Sequence, residues 1–265
     1  MRIVFFTQED PFYVKIFFDE FFKHYKHLNE VKAVVISHAM GKKSVVDLGK
    51  QMFSFYGLFD FFRMGCRFAY GKLMSKRDLA KDSTGTIPKT YSIKQSATVY
   101  GIDVIERGDL NSQDFLSLIR QYDPDLFISV ASPIIFKEAL IKIPTMGCIN
   151  IHNAPLPKYR GMLPNFWQMY HDERAIGITI HEINPKIDEG RIILQKHVAI
   201  RPNETLDSLI KRTKRIGAHF MIEAINMIKA GSVTYLENDP EKGSYFSFPT
   251  REDVKEFKRR GKRIM

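Results

Sequence analysis

The chain alternates between two patterns of apolar and polar positions. From residue 1 to residue 200, short runs rich in valine and isoleucine are separated by longer segments in which apolar residues recur at helical spacing. The short runs indicate buried strands. They cover residues 2–7, 31–37, 103–105, 126–131, 148–152, 175–183 and 192–198.

The segments between the strands predict helices over residues 111–122, 133–141 and 163–172. A longer amphipathic helix is predicted from a Thr205 cap to a Gly231 stop, and it should cover one face of the sheet. Strands that alternate with helices in this way predict an α/β, Rossmann-like fold, in which a mainly parallel sheet carries helices on both faces.

Residues 41–80 do not follow this alternation. Aromatic residues are crowded there, at Phe53, Phe55, Tyr56, Phe59, Phe61, Phe62, Phe68 and Tyr70. Basic residues lie among them, at Arg63, Arg67, Lys72, Lys76 and Arg77. We predict a helical insert after the second strand. Its aromatic residues either pack onto the domain, form a lid over a substrate site, or present a surface to another protein or to an anionic membrane face.

Residues 1–231, insert included, are predicted to form one catalytic domain, and residues 232–265 a short C-terminal extension. The extension offers a short strand, a turn at Pro240, an aromatic run at residues 245–248 and a basic tail. The aromatic run is a candidate contact between the subunits of a homodimer.

Composition narrows the classes of protein further. Cys66 and Cys148 lie far apart without a metal-binding spacing, so two reduced thiols are expected. The chain starts in a strand-like segment without the features of a secretory signal, and charges interrupt even the phenylalanine-rich segment near residue 60. We therefore expect a cytoplasmic protein that does not span a membrane.

The formal net charge of +10 favours an acidic partner: a phosphorylated substrate, a polyglutamated cofactor, RNA or an anionic membrane face. The segment after the first strand has no glycine-rich phosphate loop of the dinucleotide or triphosphate type. A nicotinamide enzyme or an ATPase is therefore not expected.

The strand at residues 148–152 carries the most informative chemistry. Asn150 and His152 are two positions apart, so both side chains face the same side of the sheet, at the carboxyl end where open parallel sheets bind ligands. Asp188 lies in a predicted turn just before Gly190, where its carboxylate could meet the imidazole. Taken singly, each of these residues is more often a turn former or a satisfied polar group than a catalyst.

Together with their neighbours, these residues resemble the formyltransferase family that includes methionyl-tRNA, glycinamide ribonucleotide and amino-sugar formyltransferases. The shared pattern is Asn150-x-His152, Leu156-Pro157, Arg160-Gly161 and Asp188-x-Gly190. Ala154 departs from the serine expected there. The resemblance covers about residues 1–198 and implies transfer of a formyl group from 10-formyltetrahydrofolate to an amine.

Formyl transfer passes through a tetrahedral intermediate with negative charge on oxygen, and the attacking amine must lose a proton. Asn150 can donate N–H to that oxygen, protonated His152 can add a second donor, and histidine titrates near neutrality. A nearby Asp188 would raise the pKa of His152 and fix its ring. No metal is required.

The resemblance also implies binding sites for the two substrates. The folate slot is expected to be built by Ser132, Pro133, Ile134, Ile135, Ile183, Asn184 and Ile187. The amine acceptor is expected near Arg160, Gly161 and Asn165. The remaining histidines that we considered as metal ligands, at His171, His181 and His197, are expected to be surface or strand residues.

The acceptor is less well determined. Only some 34 residues follow Gly231, too few for the C-terminal β-barrel usual in methionyl-tRNA formyltransferases. An amino sugar or another small or lipid-linked amine bearing phosphate is therefore the first expectation, and methionyl-tRNA the second. Hydrolysis of the folate and non-catalytic RNA binding through the basic, aromatic insert are alternatives of different classes.

Overall fold

The computed structural model describes residues 1–37, 45–76 and 88–265. Its main sheet contains seven strands: β1 (Ile3–Thr7), β2 (Val31–Ser37), β3 (Asp103–Arg107), β4 (Leu126–Val130), β5 (Cys148–His152), β7 (Ala175–Glu182) and β8 (Ile192–Ala199). A separate two-stranded sheet contains β6 (Arg160–Gly161) and β9 (Tyr245–Phe246). The helices are α1 (Val14–His24), α2 (Val45–Tyr56), α3 (Leu58–Met74), α4 (Ile93–Val99), α5 (Gln113–Arg120), α6 (Glu138–Ile141), α7 (Pro164–Tyr170), α8 (Leu206–Lys229) and α9 (Arg251–Arg259).

The strand order in the main sheet is β3-β2-β1-β4-β5-β7-β8. All neighbours from β3 to β5 are parallel, whereas β7 is antiparallel to both β5 and β8. The predicted mainly parallel sheet is confirmed. Within it, the reversed strand β7 brings its last residues beside the first residues of β5.

Helices cover both faces of the sheet, as predicted. Along β1, Ile3 and Phe5 face a core shared with α1, α4 and α8, while Val4 and Phe6 face a core shared with α5 and α6. This alternation is the period of two that a strand buried on both faces requires. The long helix α8 begins at the predicted Thr205 cap, whose hydroxyl accepts from the Ser208 N–H.

One helix prediction was wrong over most of its length. Helix α6 has four residues, and residues 133–137 of the predicted helix are irregular. The Asn111 side chain takes the place of helical hydrogen bonds there, since its Nδ2 donates to the Ile135 carbonyl at 3.0 Å and its Oδ1 accepts from the Lys137 N–H at 2.8 Å. The structure also contains α1, α4 and α9, which were not predicted.

The C-terminal extension packs against the region around β5 and α7. Strand β9 pairs with β6, Trp167 Nε1 donates to the Ser247 carbonyl at 3.0 Å, and Phe257 of α9 stacks on Phe166 with 4.6 Å between ring centres. Residues 245–246, proposed above as part of a subunit contact, thus pair within the chain. The extension and α7 share one hydrophobic cluster.

The predicted insert contains α2 and α3; its parts at residues 41–44 and 77–80, Arg77 included, lie outside the described residues. Phe55 of α2 is buried against Phe166 and Phe248, so this helix packs onto the domain. Several large apolar side chains of α3 are exposed. Within the described ranges, no helix combines the length and the apolar character needed to cross a bilayer.

Candidate functional site

The site is formed on strands β5 and β7 and on the loop between β7 and β8. Asn150 is paired across the strands with His181, and His152 with Thr179. Asp188 lies on the loop and approaches two of these residues: its Oδ2 is 3.7 Å from His152 Nδ1, and its Oδ1 is 3.6 Å from His181 Nε2. One carboxylate therefore lies between two imidazole rings.

His181 fixes the amide of Asn150. Its Nδ1 is 2.8 Å from the Glu182 carbonyl oxygen, which can only accept, so Nδ1 carries a proton and Nε2 is left as an acceptor for the Asn150 amide. Asn150 Nδ2 lies 3.1 Å from that acceptor and donates to it. Because an amide nitrogen has two N–H groups, the second N–H of Asn150 is left for another acceptor.

His181 is a site residue that the sequence reasoning missed, because it was expected to be an ordinary strand or surface residue. It is almost fully buried. The available signal was its position on a strand next to β5, but its alignment with Asn150 depends on antiparallel pairing, which the mainly parallel pattern did not indicate.

The imidazole of His152 is held in one tautomer. Nε2 lies 2.9 Å from the Tyr159 carbonyl oxygen and donates to it, which leaves Nδ1 as the nitrogen that faces Asp188. Burial lowers the pKa of His152, and although the charge of Asp188 opposes this, the net direction is downward. Asp188 raises the pKa of His152 as expected, but burial has the larger effect, so the net shift is downward. The ring is therefore neutral at neutral pH.

Asp188 is held as a carboxylate. Burial by itself raises its pKa, but the nearby His152 and His181 rings and the Gly161 N–H, 3.2 Å from Oδ2, outweigh burial and keep the pKa below the ordinary value. Its backbone has a φ of 55°, an uncommon conformation for an aspartate. The loop must therefore be stabilised by its surroundings.

Asn238, in the C-terminal extension, supplies part of that stabilisation. Its Nδ2 donates to the carbonyls of Asp188 and Gly190, both at 2.9 Å, and the side chain is buried. No pattern in the sequence linked Asn238 to Asp188 and Gly190, which precede it by 50 and 48 residues. The extension thus takes part in shaping the site.

Gly161 lies in β6, where it is paired with Phe246 of β9. Its φ is 95°, and a Cβ there would lie 2.3 Å from the Phe246 carbonyl oxygen. Only glycine fits without movement of the β6–β9 pair. Since the Gly161 N–H is also bound to Asp188, the residue positions the carboxylate, whereas the sequence reasoning assigned it to the acceptor.

We expect Gly161→Ala to lower the free energy of unfolding by about 1–3 kcal/mol more than Gly147→Ala does, because overpacking is added to the cost of a left-handed backbone. Gly147 is a matched control, since its φ is 88° and a Cβ there would meet no atom within 4 Å. Urea unfolding of both variants measures the difference. If both variants lost the same free energy of unfolding, the β6–β9 pair would accommodate the added methyl group without an energetic cost.

The other predicted acceptor residues have partners within the chain. Arg160 Nη1 is 2.6 Å from Glu189 Oε1, and its buried Nε has no partner among the described residues. Asn165 is buried at the start of α7, and its Nδ2 donates to Thr213 Oγ1 at 3.2 Å. The Nε–H of Arg160 is therefore an unpaired donor within the described ranges, whereas the Asn165 amide points toward α8.

The predicted folate residues lie on two loops. Ser132 and Ile134 are half-buried and Pro133 and Ile135 are exposed on the first loop, while Ile183, Asn184 and exposed Ile187 belong to the loop that carries Asp188. Of the second group, Ile183 and Asn184 line a cavity of about 660 Å³ together with Glu189. That cavity lies beside the beginning of β5, and its lining does not include Asn150, His152 or Asp188.

Lys214 of α8 is a half-buried cation near the site. Burial lowers its pKa, an effect that the charge of Asp10 opposes, and the charge of Lys214 in turn lowers the pKa of His152. Its ammonium group forms neither a hydrogen bond nor a salt bridge with any described residue. Such an ammonium group suits an anionic part of a ligand. Its position in the sequence carried no signal of this, because a lysine on an amphipathic helix is usually solvated.

The family model described as "Formyl transferase" matches residues 70–225, which include Asn150, His152 and Asp188. Methionyl-tRNA formyltransferases from Kosmotoga olearia and Thermotoga maritima are 32% and 31% identical over 162 residues, 61% of this chain and 52% of each relative. The chain thus spans about half the length of these curated relatives.

Two solved structures share the fold. Glycinamide ribonucleotide transformylase 1 from Symbiobacterium toebii has a TM-score of 0.60 at 15% identity and covers 90% of this chain and 92% of its own. A sugar N-formyltransferase from Shewanella sp. FDAARGOS_354 has a TM-score of 0.56 at 17% identity. The match covers 93% of this chain and 76% of the Shewanella chain. At these identities the likeness extends to the architecture alone.

Proposed function

The chain belongs to the formyl transferase family, and we propose that it transfers a formyl group from 10-formyltetrahydrofolate to a primary amine. The observation that carries the proposal is the arrangement around Asp188, whose carboxylate lies 3.7 Å from His152 Nδ1 and 3.6 Å from His181 Nε2. The second amide N–H of Asn150 has no partner in the described parts of the chain, and Asn150 lies on the same face of β5 as His152. This set offers a donor for a developing oxyanion and a base for an amine.

Asn150 stabilises the oxyanion. When the amine nitrogen bonds to the formyl carbon, the carbonyl electron pair moves to oxygen, and the free N–H of Asn150 donates to that oxygen. The other N–H remains bound to His181, so the amide needs no reorientation as the charge develops. His181 is a positioning residue in this scheme.

His152 carries the proton. The neutral ring has its lone pair on Nδ1, because Nε2 donates to the Tyr159 carbonyl. Nδ1 accepts a proton from the attacking amine, and the resulting imidazolium is stabilised by the Asp188 carboxylate. As the oxyanion re-forms the carbonyl and the bond between the formyl carbon and the folate nitrogen breaks, that nitrogen takes the proton from the imidazolium, which restores the neutral ring.

Replacement of Asp188 by asparagine should move the acid limb of the pH–rate profile. The carboxylate raises the pKa of His152, so its loss lowers that pKa further. Because the reaction requires neutral His152, activity should persist to lower pH, while the plateau rate falls because the base is weaker. Measurement of kcat from pH 4 to pH 9 tests this; an unchanged acid limb would assign that limb to another group.

We infer that the acceptor is an amino sugar carrying a phosphate or diphosphate. The half-buried ammonium of Lys214, which lacks a hydrogen-bonding partner in the described parts of the chain, supports an anionic acceptor group near His152. The unused Nε–H of Arg160 offers a further donor beside the Asp188 loop.

Methionyl-tRNA is the second candidate acceptor. The observation that favours it is the sequence similarity to methionyl-tRNA formyltransferases, at 32% identity, which extends over about half of their length. A net charge of +10 is compatible with either acceptor, since both carry phosphate.

An acceptor panel distinguishes the candidates. The protein is incubated with 10-formyltetrahydrofolate and one acceptor at a time, comprising nucleotide-linked amino sugars, methionyl-tRNA and glycinamide ribonucleotide, and the products are analysed by mass spectrometry. We expect an amino sugar to gain a formyl group and Lys214→Ala to raise its KM more than it lowers kcat. Formylation of methionyl-tRNA alone would replace the amino-sugar proposal, and RNA binding that survives His152→Ala without any transfer would favour a non-catalytic protein.

A further inference from the structure

Helix α3 exposes a continuous apolar stripe. Phe59 is 87% exposed, Phe62 63%, Tyr70 56% and Leu73 67%. Cys66 and Ala69 are exposed between them. At 100° per residue, these six side chains fall within an arc of about 100° on the helix. We call them the α3 stripe.

The opposite side of α3 holds the helix on the domain. Met64 is buried, and the Arg67 guanidinium lies over the Phe12 ring, 5.6 Å from its centre. Phe68 also approaches Phe12, with 6.3 Å between ring centres. The helix is therefore oriented by contacts on this side, whereas Phe59, Phe62 and Leu73 face outward. Tyr70 is half-exposed and also meets Tyr91 edge-on, with 5.8 Å between ring centres.

Cations border the stripe on both sides. Arg63 lies next to it on one side, and Lys72 and Lys76 lie next to it on the other, all three exposed. The single acidic residue of α3, Asp60, is only partly exposed and lies away from the centre of the stripe. An apolar stripe with basic borders has the chemistry of a helix that lies in the plane of a membrane interface.

We propose that α3 docks on an anionic lipid surface, with the α3 stripe inserted among the acyl chains nearest the headgroups and the three cations on the lipid phosphates. Aromatic side chains are favoured at that depth, and each basic residue gains from the negative surface potential. This surface is distinct from the residues around Asp188 and does not depend on the chemistry proposed for them.

Charge favours lipid over a second copy of the chain. A symmetric contact between two α3 stripes would bring Arg63, Lys72 and Lys76 of one copy close to the same cations of the other. Such like charges oppose association, and Asp60 is too remote from the stripe to offset them. An anionic bilayer meets the same cations with opposite charge.

The test is flotation of the purified full chain with lipid vesicles through a density gradient. Vesicles of phosphatidylcholine with phosphatidylglycerol are compared with vesicles of phosphatidylcholine alone, at low and high salt. We expect the protein to float with the anionic vesicles and to be released by salt. Phe59→Ser with Phe62→Ser should weaken this binding at least about tenfold, because two large apolar side chains no longer insert.

A matched control replaces two exposed apolar residues elsewhere, Met146→Ser with Leu236→Ser, and should leave flotation unchanged. Circular dichroism verifies that each variant is folded. The proposal is overturned if the native chain does not float with anionic vesicles, or if both double variants lose binding equally. It is also overturned if the Phe59 and Phe62 changes convert a dimer to a monomer in sedimentation without changing flotation, since a second copy would then cover the stripe.

Discussion

His152→Ala should lower kcat for formyl transfer by about 10²–10⁴, because the reaction loses the group that carries the proton from the amine. The proton is carried by one nitrogen of the His152 ring, Nδ1. Nε2 donates to the Tyr159 carbonyl, so Nδ1 is available as the base, and burial keeps the pKa of the ring below its ordinary value and the ring neutral. Steady-state kinetics with saturating folate and acceptor measures the effect.

A second variant separates chemistry from folding. His152→Gln retains an amide N–H that can reach the Tyr159 carbonyl but cannot carry a proton, and it should lose as much activity as His152→Ala while remaining better folded. His197→Ala removes an exposed histidine of β8 and should leave kcat unchanged. If His152→Gln retained near-native kcat, the ring would serve only as a hydrogen-bond donor and the assignment of the base would be wrong.

Asn150→Ala should lower kcat by about 10²–10³, the usual effect of removing one oxyanion donor. The substitution removes the N–H that has no partner among the described residues, together with the N–H that is bound to His181. KM for the folate should change little, since the interaction is strongest in the transition state. Steady-state measurement of kcat and KM checks both parts.

His181→Ala provides the matching comparison. It leaves the Asn150 amide in place but removes the acceptor that orients it, so kcat should fall less than in Asn150→Ala. Asn29→Ala, at an exposed amide remote in sequence from the site, serves as a control with unchanged kinetics. A larger loss for His181→Ala than for Asn150→Ala would mean that His181 itself contacts the reacting groups.

Much of the fold was predictable because each buried strand carries its own pattern. The seven strands of the sheet and helix α8 follow from runs and periods that are local in sequence. The helix predicted at residues 133–141 failed because Asn111, more than twenty residues earlier, binds the backbone at Ile135 and Lys137. A contact of that range leaves no local pattern.

In the site, too, residues with a local sequence pattern could be predicted, whereas residues placed by distant contacts could not. Asn150 and His152 could be placed on one strand face from their spacing, and the Asp188 loop was identified through the family pattern. His181 could not be placed because its position depends on how β7 pairs with β5, and Asn238 because the extension folds back over the site. The pKa of His152 depends on depth of burial, which spacing does not encode.

The most direct test of the central claim follows the formyl carbon itself. The protein is mixed with 10-formyltetrahydrofolate carrying ¹³C in the formyl group and with the acceptor panel, and the label is followed by ¹³C NMR beside His152→Gln. We predict that the label appears as a formamide of one acceptor with the native protein and stays on the folate with the variant. Label released as free formate would indicate a hydrolase, and label that stays on the folate with the native protein and every acceptor would contradict formyl transfer at this site.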